Sequence, residues 1–74
     1  MATSASIKKQ ATLVAERITA KRKQAGLSQD ALAEMAGIDR KTVNRIENGH
    51  FSPSMDTFFR IAYALRANAK DFLK

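Results

Sequence analysis

The amino-acid sequence predicts an all-α fold, and three observations support that prediction. Apolar residues recur at spacings of three, four and seven positions, which is the period of helices with one buried face. A single proline and three glycines interrupt 74 residues, and each glycine follows a helical pattern at the point where a helix end is expected. The sequence has no cysteine, which excludes a disulfide scaffold. We expect one domain, residues 1–74, around a small core.

The first helix is predicted to run to about Gln24, with Ser4 or Ser6 as its N-cap. Ala25 and Gly26 then end it, because a glycine after a helix readily takes the left-handed backbone conformation. Its inward face is expected to carry apolar residues spaced at i, i+4, i+7 and i+11, namely Ile7, Ala11, Val14 and Ile18.

The second and third helices are predicted within residues 29–48, joined by a tight turn at Gly37. Ser28 and Asp39 are suited to cap them, since their side-chain oxygens accept hydrogen bonds from unpaired helix N–H groups. Two helices so close in sequence cross steeply, and the small side chain of Ala33 permits that crossing. Such a pair is either an ordinary corner or the unit that places its second helix in the DNA major groove. The expected inward residues are Leu32, Ala33, Ala36, Val43 and Ile46.

A fourth helix is predicted over residues 55–65, with Ser52 or Ser54 as its N-cap. Asn68 is expected to cap a short fifth helix, residues 69–74. Phe72 and Leu73 of the fifth helix are expected to close the base of the hydrophobic core. The expected core residues are Met55, Phe58, Ile61, Ala62, Leu65, Phe72 and Leu73.

Two aromatic residues on the fourth helix have two possible roles. Phe59 and Tyr63 lie four residues apart on a stripe that flanks the predicted core face. They form either the edge of the core or part of a contact between subunits.

Arg22 and Glu47 are predicted to form a structural salt bridge between the first and third helices. Both fall on inward faces, where an unpaired charge is costly. A role for Glu47 as a general base has no support, because no nucleophile, histidine or second carboxylate accompanies it. We therefore expect the pair to stabilise the fold.

The charge balance favours a polyanionic partner. Thirteen Lys and Arg residues against seven Asp and Glu give a net charge of +6. A membrane surface also attracts positive charge, but a helix that lies on a membrane needs a bulky apolar face, and the apolar faces of the central helices are small. No apolar run approaches the ~18 residues of a transmembrane helix, and the N-terminus lacks the apolar core of a signal peptide. A cytoplasmic protein is expected.

No catalytic, cofactor or metal site is predicted from the sequence. It contains no glycine-rich phosphate loop, no nucleophile elbow and no cluster of His, Asp and Glu with the spacing of metal ligands. His50 is the only histidine, and in a loop it is expected to be a surface residue or a phosphate contact. We expect neither enzymatic activity nor a cofactor.

The outward face of the third helix carries the clearest functional signal. Arg40 and Lys41 lie in its first turn, where the helix dipole disfavours exposed cations by roughly 0.3–1 kcal/mol each. A DNA acceptor nearby offsets that cost, and long or amide donors match the edges of guanine and adenine. A merely solvated basic helix is the alternative. The outward set consists of Arg40, Lys41, Asn44, Arg45 and Asn48.

Several short motifs occur in register over the predicted helices. They are Glu16-Arg17-Ile18, Arg22, Gly26-Leu27-Ser28-Gln29, Leu32-Ala33, Gly37-Ile38, Val43, Ile46-Glu47-Asn48-Gly49, Pro53-Ser54, Leu65 and Phe72-Leu73. On these residues the chain resembles the Cro and phage-repressor type of helix-turn-helix domain, the Xre or lambda-repressor-like family. The resemblance covers residues 16–73 and implies a five-helix bundle with helix 3, residues 39–48, in the major groove. Residues 1–15 form an N-terminal extension of helix 1 beyond it.

The resemblance and the outward face together imply roles for individual residues. The family often has glutamines where Arg40, Lys41 and Arg45 stand, so the target sequences of relatives do not carry over. Base contacts are expected from Arg40, Lys41, Asn44 and Arg45. Contacts with the DNA backbone are expected from Ser28, Gln29, Thr42, Asn48 and His50.

The expected function is sequence-specific regulation of transcription, by a repressor that binds a pseudo-palindromic operator in double-stranded DNA as a homodimer. Two alternatives use the same fold. The first is the antitoxin of a toxin–antitoxin pair, with the toxin as a protein partner. The second is the DNA-binding module of a larger regulator. A toxin-like gene next to this one favours the antitoxin.

Overall fold

The computed structural model describes residues 4–50 and 52–73, without the side chain of Ser4. Every regular element within these two ranges is helical, which confirms the predicted all-α fold. Four α-helices are followed by a 3-10 helix in place of the predicted fifth α-helix. The elements are α1 (Ser4–Gln24), α2 (Gln29–Ala36), α3 (Arg40–Glu47), α4 (Met55–Ala64) and the C-terminal 3-10 helix (Ala69–Phe72).

The C-terminal element is a 3-10 helix because its hydrogen bonds span three residues. The Asp71 N–H donates to the Asn68 carbonyl at 2.9 Å, and the Leu73 N–H donates to the Lys70 carbonyl at 3.2 Å. Asn68 occupies the N-cap position as predicted, and its own N–H donates to the Asp71 carboxylate at 3.0 Å. The element is shorter than predicted, and the last residue of the predicted range 69–74 lies outside the described part.

Side-chain caps begin three of the α-helices at predicted residues. Of the two serines proposed for α4, Ser54 is the cap. The prediction of Ser6 as the cap of α1 is wrong, because Ser6 lies two residues inside a helix that begins at Ser4. The alternative, a cap by the Ser4 side chain, lies outside the described part. In the three confirmed caps, of α2, α3 and α4, the backbone N–H groups of Ala31, Thr42 and Thr57 donate hydrogen bonds. The acceptors are Ser28 Oγ (3.0 Å), Asp39 Oδ1 (2.7 Å) and Ser54 Oγ (3.1 Å).

The turn between α2 and α3 requires a glycine. Gly37 has a φ of 71°, in the left-handed region that residues with a Cβ rarely adopt. A Cβ at this position would lie 3.1 Å from Arg60 Nη1, so a larger residue would also displace that side chain. The Ile38 N–H donates to the Ala33 carbonyl at 3.0 Å, which completes the cap and directs the chain into α3.

One hydrophobic core joins the helices. Its centre is fully buried, and the rings of Phe58 and Phe72 meet edge to face with centroids 5.6 Å apart. Partly buried apolar residues such as Val14 and Leu65 pack around it. The core cluster consists of Ile18, Leu32, Ala33, Ala36, Val43, Ile46, Phe58, Ile61, Ala62, Ala64 and Phe72.

Three residues predicted for the core are on the surface instead. Ile7, Met55 and Leu73 are 60%, 69% and 61% exposed. The 21-residue α1 is about 31 Å long. The other α-helices have only 8–10 residues, so the first turns of α1 extend past the core. Met55 is the first residue of α4 and Leu73 follows the 3-10 helix, where the periodic pattern continues but neighbouring elements cover little of the side chain.

The two aromatic residues of α4 with open roles are both exposed. Tyr63 is 86% exposed, so it does not form the edge of the core. Phe59 is 49% exposed and its ring lies 5.9 Å from that of the core residue Phe58, so its position is consistent with the edge of the core. A contact between subunits therefore stays a prediction for both.

The predicted salt bridge between Arg22 and Glu47 is confirmed. Arg22 donates from Nε to Glu47 Oε2 at 2.7 Å and from Nη2 to Oε1 at 3.0 Å. The side chains are only 12% and 4% exposed. Arg22 Nη1 also donates to the Leu27 carbonyl at 2.9 Å, so one guanidinium joins α1, the loop before α2, and α3. Its geometry is the bidentate fork that favours arginine over lysine.

The ion pair affects the pKa values of both partners. The hydrogen bond to Glu47 raises the pKa of Arg22 above its ordinary value. Burial raises the pKa of Glu47, but the hydrogen bonds from Arg22 and Gln29 together with the charge of Arg22 lower it by more. The net pKa of Glu47 lies below its ordinary value, so the folded state favours the charged carboxylate.

We predict that Arg22→Met destabilises the fold by about 3 kcal/mol, because it leaves the Glu47 carboxylate buried without its cation. The double variant Arg22→Met/Glu47→Leu should lose less stability than either single variant, since no charge is left unpaired. Urea denaturation of the wild type, Arg22→Met, Glu47→Leu and the double variant measures these free energies of unfolding. Single variants as stable as the wild type would show that the pair contributes nothing.

We also predict an acid-dependent loss of stability caused by Glu47. Its folded-state pKa is below the unfolded value of about 4.3, so its contribution is complete above that pH and is lost as the pH falls through the folded-state pKa. Glu47→Gln should therefore show a smaller loss of stability below about pH 4.5 than the wild type. Denaturation of both proteins across this pH range measures the difference. Equal acid profiles for Glu47→Gln and wild type would contradict the prediction.

Candidate nucleic-acid interface

The helix α3 has a buried apolar side and an exposed basic side. Val43 and Ile46 are 0% and 2% exposed and hold the helix against α1 and α2. Arg40, Lys41 and Arg45 are exposed, as predicted for side chains that reach a partner. The predicted recognition helix, residues 39–48, matches the observed α3 together with its two capping residues. The basic side is therefore held by packing on the opposite face.

The start of α3 carries a negative charge beside the cations. Hydrogen bonds from Thr42, through its side chain and then its backbone N–H, lower the pKa of Asp39, and the charge of Lys41 lowers it further. Asp39 thus stays ionised at neutral pH and offsets the cost of two cations in the first helical turn. Thr42, a predicted contact of the DNA backbone, is half-buried and holds this cap in place.

An acidic neighbour of Arg40 was not foreseen in the sequence. Arg40 Nε lies 3.5 Å from Asp30 Oδ1, and both side chains are exposed. Asp30 lies in the first turn of α2, where its negative charge is also favourable to the helix dipole. Exposed ion pairs of this kind contribute little, so Arg40 can leave Asp30 for a stronger acceptor. The contact nevertheless places a carboxylate at the edge of the basic surface.

Three amide side chains form a chain of hydrogen bonds across α2 and α3. Gln29 Nε2 donates to Glu47 Oε1 at 3.0 Å, and Gln29 Oε1 accepts from Asn44 Nδ2 at 3.2 Å. Asn44 Oδ1 in turn accepts from Asn48 Nδ2 at 3.1 Å. From the sequence, Gln29 and Asn48 are predicted to contact the DNA backbone, and Asn44 is predicted to contact a base. It gave no signal that these three residues contact one another.

The remaining predicted contacts lie at the ends of the two helices. Ser28 is exposed at the start of α2, and its hydroxyl oxygen already accepts the Ala31 N–H. His50 is exposed just beyond α3, where its backbone N–H donates to the Arg45 carbonyl at 3.1 Å. All nine predicted DNA contacts thus belong to α2, α3 and the residues that flank them.

Two other kinds of feature are absent from the described ranges. Residues 4–50 and 52–73 contain no group of three or more His, Cys, Asp and Glu side chains placed to hold a metal ion. In the same ranges, none of the helices combines the length and the apolarity that are needed to cross a membrane.

A family profile described as helix-turn-helix matches residues 18–71 of the chain. The match runs from the second half of α1 into the C-terminal 3-10 helix. Its ends lie within two residues of the range 16–73 over which the sequence resembles the Cro and phage-repressor type. It therefore includes both helices of the candidate interface and the Arg22–Glu47 pair.

One relative is similar to this chain in amino-acid sequence. An uncharacterized HTH-type transcriptional regulator from Methanothermobacter thermautotrophicus is 48% identical over 44 residues, which are 60% of this chain and 64% of that protein. This chain thus spans less than two thirds of that relative.

Two solved structures are similar over most of the chain. A restriction-modification controller protein from Aeromonas hydrophila has a TM-score of 0.83 and 28% identity, over 86% of this chain and 97% of its own. The P22 c2 repressor, in complex with a synthetic operator, has a TM-score of 0.78 and 29% identity, over 84% and 94%. This chain belongs to the helix-turn-helix family of transcription regulators, in its Xre or lambda-repressor-like form.

Proposed function

We propose that the protein binds double-stranded DNA sequence-specifically, with α3 in the major groove, and represses transcription. The observation that carries the proposal is the exposed basic side of α3, which a fully buried apolar side holds outward. The P22 c2 repressor, which has a similar fold and is bound to an operator, supports it. Repression is the simplest outcome, because a protein bound across a promoter blocks access without a further contact.

The proposed contacts divide into base reading and positioning. Arg40, Lys41 and Arg45 carry long cationic donors suited to the guanine acceptors O6 and N7. Asn44 carries an amide, which suits adenine. Contacts with the DNA backbone are assigned to Ser28, Gln29, Thr42, Asn48 and His50.

A homodimer is part of the proposal because one α3 is short. Eight residues span about 12 Å, which is enough for only a few base pairs. Two copies related by a two-fold axis read a pseudo-palindromic operator with half-sites about one helical turn apart. The exposed apolar side chains of Met55, Phe59 and Leu73 border a groove of about 310 Å³ on the side of α4 and support a contact between copies.

We predict a steep salt dependence of DNA binding. If Lys and Arg side chains neutralise about 4–5 phosphates per subunit, the slope of log K against log salt concentration is about −4 per subunit and about −8 for a dimer. Titrations of one operator between low and physiological salt measure the slope. A nearly flat titration would exclude binding led by phosphates.

We predict that Arg45→Ala weakens binding to the best operator by ~1–3 kcal/mol and relaxes the preference at one base pair in each half-site. The matched control is Lys70→Ala, which also removes one positive charge but lies on the 3-10 helix, packed on α1 and α4. The control should leave every base preference unchanged. Selection from a randomised operator library measures both variants. If Arg45→Ala lowered the affinity for all sequences equally, Arg45 would contact only phosphate.

A further inference from the structure

A directed chain of hydrogen bonds leads from the core to the DNA-facing side of α3. It starts at the Glu47 carboxylate, which is nearly inaccessible and already paired with Arg22. It continues through the side chains of Gln29 and Asn44 and ends at Asn48, which is exposed. Gln29 and Asn44 are both half-buried, so the chain connects an interior charge with the proposed reading surface.

The direction of every bond follows from the charge on Glu47. An ionised carboxylate only accepts hydrogen bonds, so Gln29 must turn its amide nitrogen toward it. The Gln29 oxygen then faces Asn44 and requires the nitrogen of that amide as its donor. The Asn44 oxygen consequently faces Asn48 and accepts from it. Reversing any one amide would place two donors or two acceptors against each other.

We propose that Gln29 is a positioning residue that fixes the orientation of Asn44 for base reading. The inference rests on the proposed function. The two ends of an amide have nearly the same shape but opposite hydrogen-bonding character. An amide that is free to turn over offers a donor or an acceptor equally, whereas a fixed one distinguishes between base edges. Gln29 thereby contributes to sequence preference through Asn44.

This role differs from a phosphate contact by the Gln29 side chain. Its oxygen and one amide hydrogen are used within the protein. A phosphate can still bind the backbone N–H of Gln29, which lies in the first turn of α2 and is independent of the side chain. Variants of the side chain therefore separate positioning of Asn44 from contact with the DNA backbone.

The test compares Gln29→Met, Asn44→Ala and the double variant on a randomised operator library. Methionine keeps the length and helix propensity of glutamine but forms neither bond. Asn44→Ala should reduce the preference at one base pair per half-site roughly 5- to 100-fold. Gln29→Met should reduce the preference at the same base pair, roughly 3-fold or more. The double variant should resemble Asn44→Ala alone, because both changes act on one contact.

The control is Gln24→Met, the same substitution at an exposed glutamine at the end of α1. It should leave all preferences unchanged. The contrary result is that Gln29→Met weakens binding to all sequences equally, leaves the base preferences intact and multiplies its effect on affinity with that of Asn44→Ala. This result would overturn the inference but not the proposed function. A wild-type protein without any base preference would overturn the proposed function and this inference with it.

A second measurement needs no DNA. In NMR spectra of the free protein, Gln29→Met should shift the side-chain amide resonances of Asn44 and Asn48, and Gln24→Met should not. Thermal melting confirms that each variant is folded. Unchanged Asn44 and Asn48 resonances in a folded Gln29→Met protein would overturn the inference, whatever the DNA results.

Discussion

The ion pair between Arg22 and Glu47 is the interaction on which the arrangement of the helices depends. α3 is short, and its inward side offers only Val43 and Ile46 to the core. Apolar packing alone leaves such a helix free to rotate or slide, because it is non-directional. The guanidinium removes that freedom, since it is bonded at once to the Glu47 carboxylate and to the Leu27 carbonyl. The pair thus fixes the orientation in which α3 presents its outer side.

The outer side carries a balance of charges rather than a uniform positive field. Asp39 caps α3 through Thr42, and Asp30 lies 3.5 Å from Arg40. In the proposed complex with DNA, both carboxylates repel phosphate, so they reduce binding to any DNA in which the cations find no better acceptor. We expect an operator that offers good hydrogen-bond acceptors to the proposed base contact Arg40 to regain the lost attraction. Under the proposed function, such acidic neighbours reduce the affinity for DNA in general and increase discrimination between sequences.

The sequence correctly predicted the helix caps and the ion pair, which depend on nearby residues or on charges that face inward. It failed for the burial of side chains that depends on the lengths of the packed elements. The caps at Ser28, Asp39 and Ser54 follow from chemistry within four residues, and the Arg22–Glu47 pair follows from two charges on inward faces. Ile7, Met55 and Leu73 were misplaced because periodicity indicates a face but not whether a neighbour extends far enough to cover it. The bond between Gln29 and Asn44 depends on the rotation of α2 relative to α3, which no pattern in the sequence encodes.

The Glu47 carboxylate takes part in both the ion pair and the chain of amide hydrogen bonds. The carboxylate pairs with Arg22 and accepts a hydrogen bond from Gln29, so under the proposed function a substitution of Glu47 is expected to alter both stability and DNA recognition. A chain of 74 residues has little stability to lose. Arg40, Lys41 and Arg45 are exposed, and substitutions at exposed positions generally cost little stability. Under the proposed function, new target sequences are therefore expected to be acquired most easily at these three cations, while the amide chain beneath them is retained.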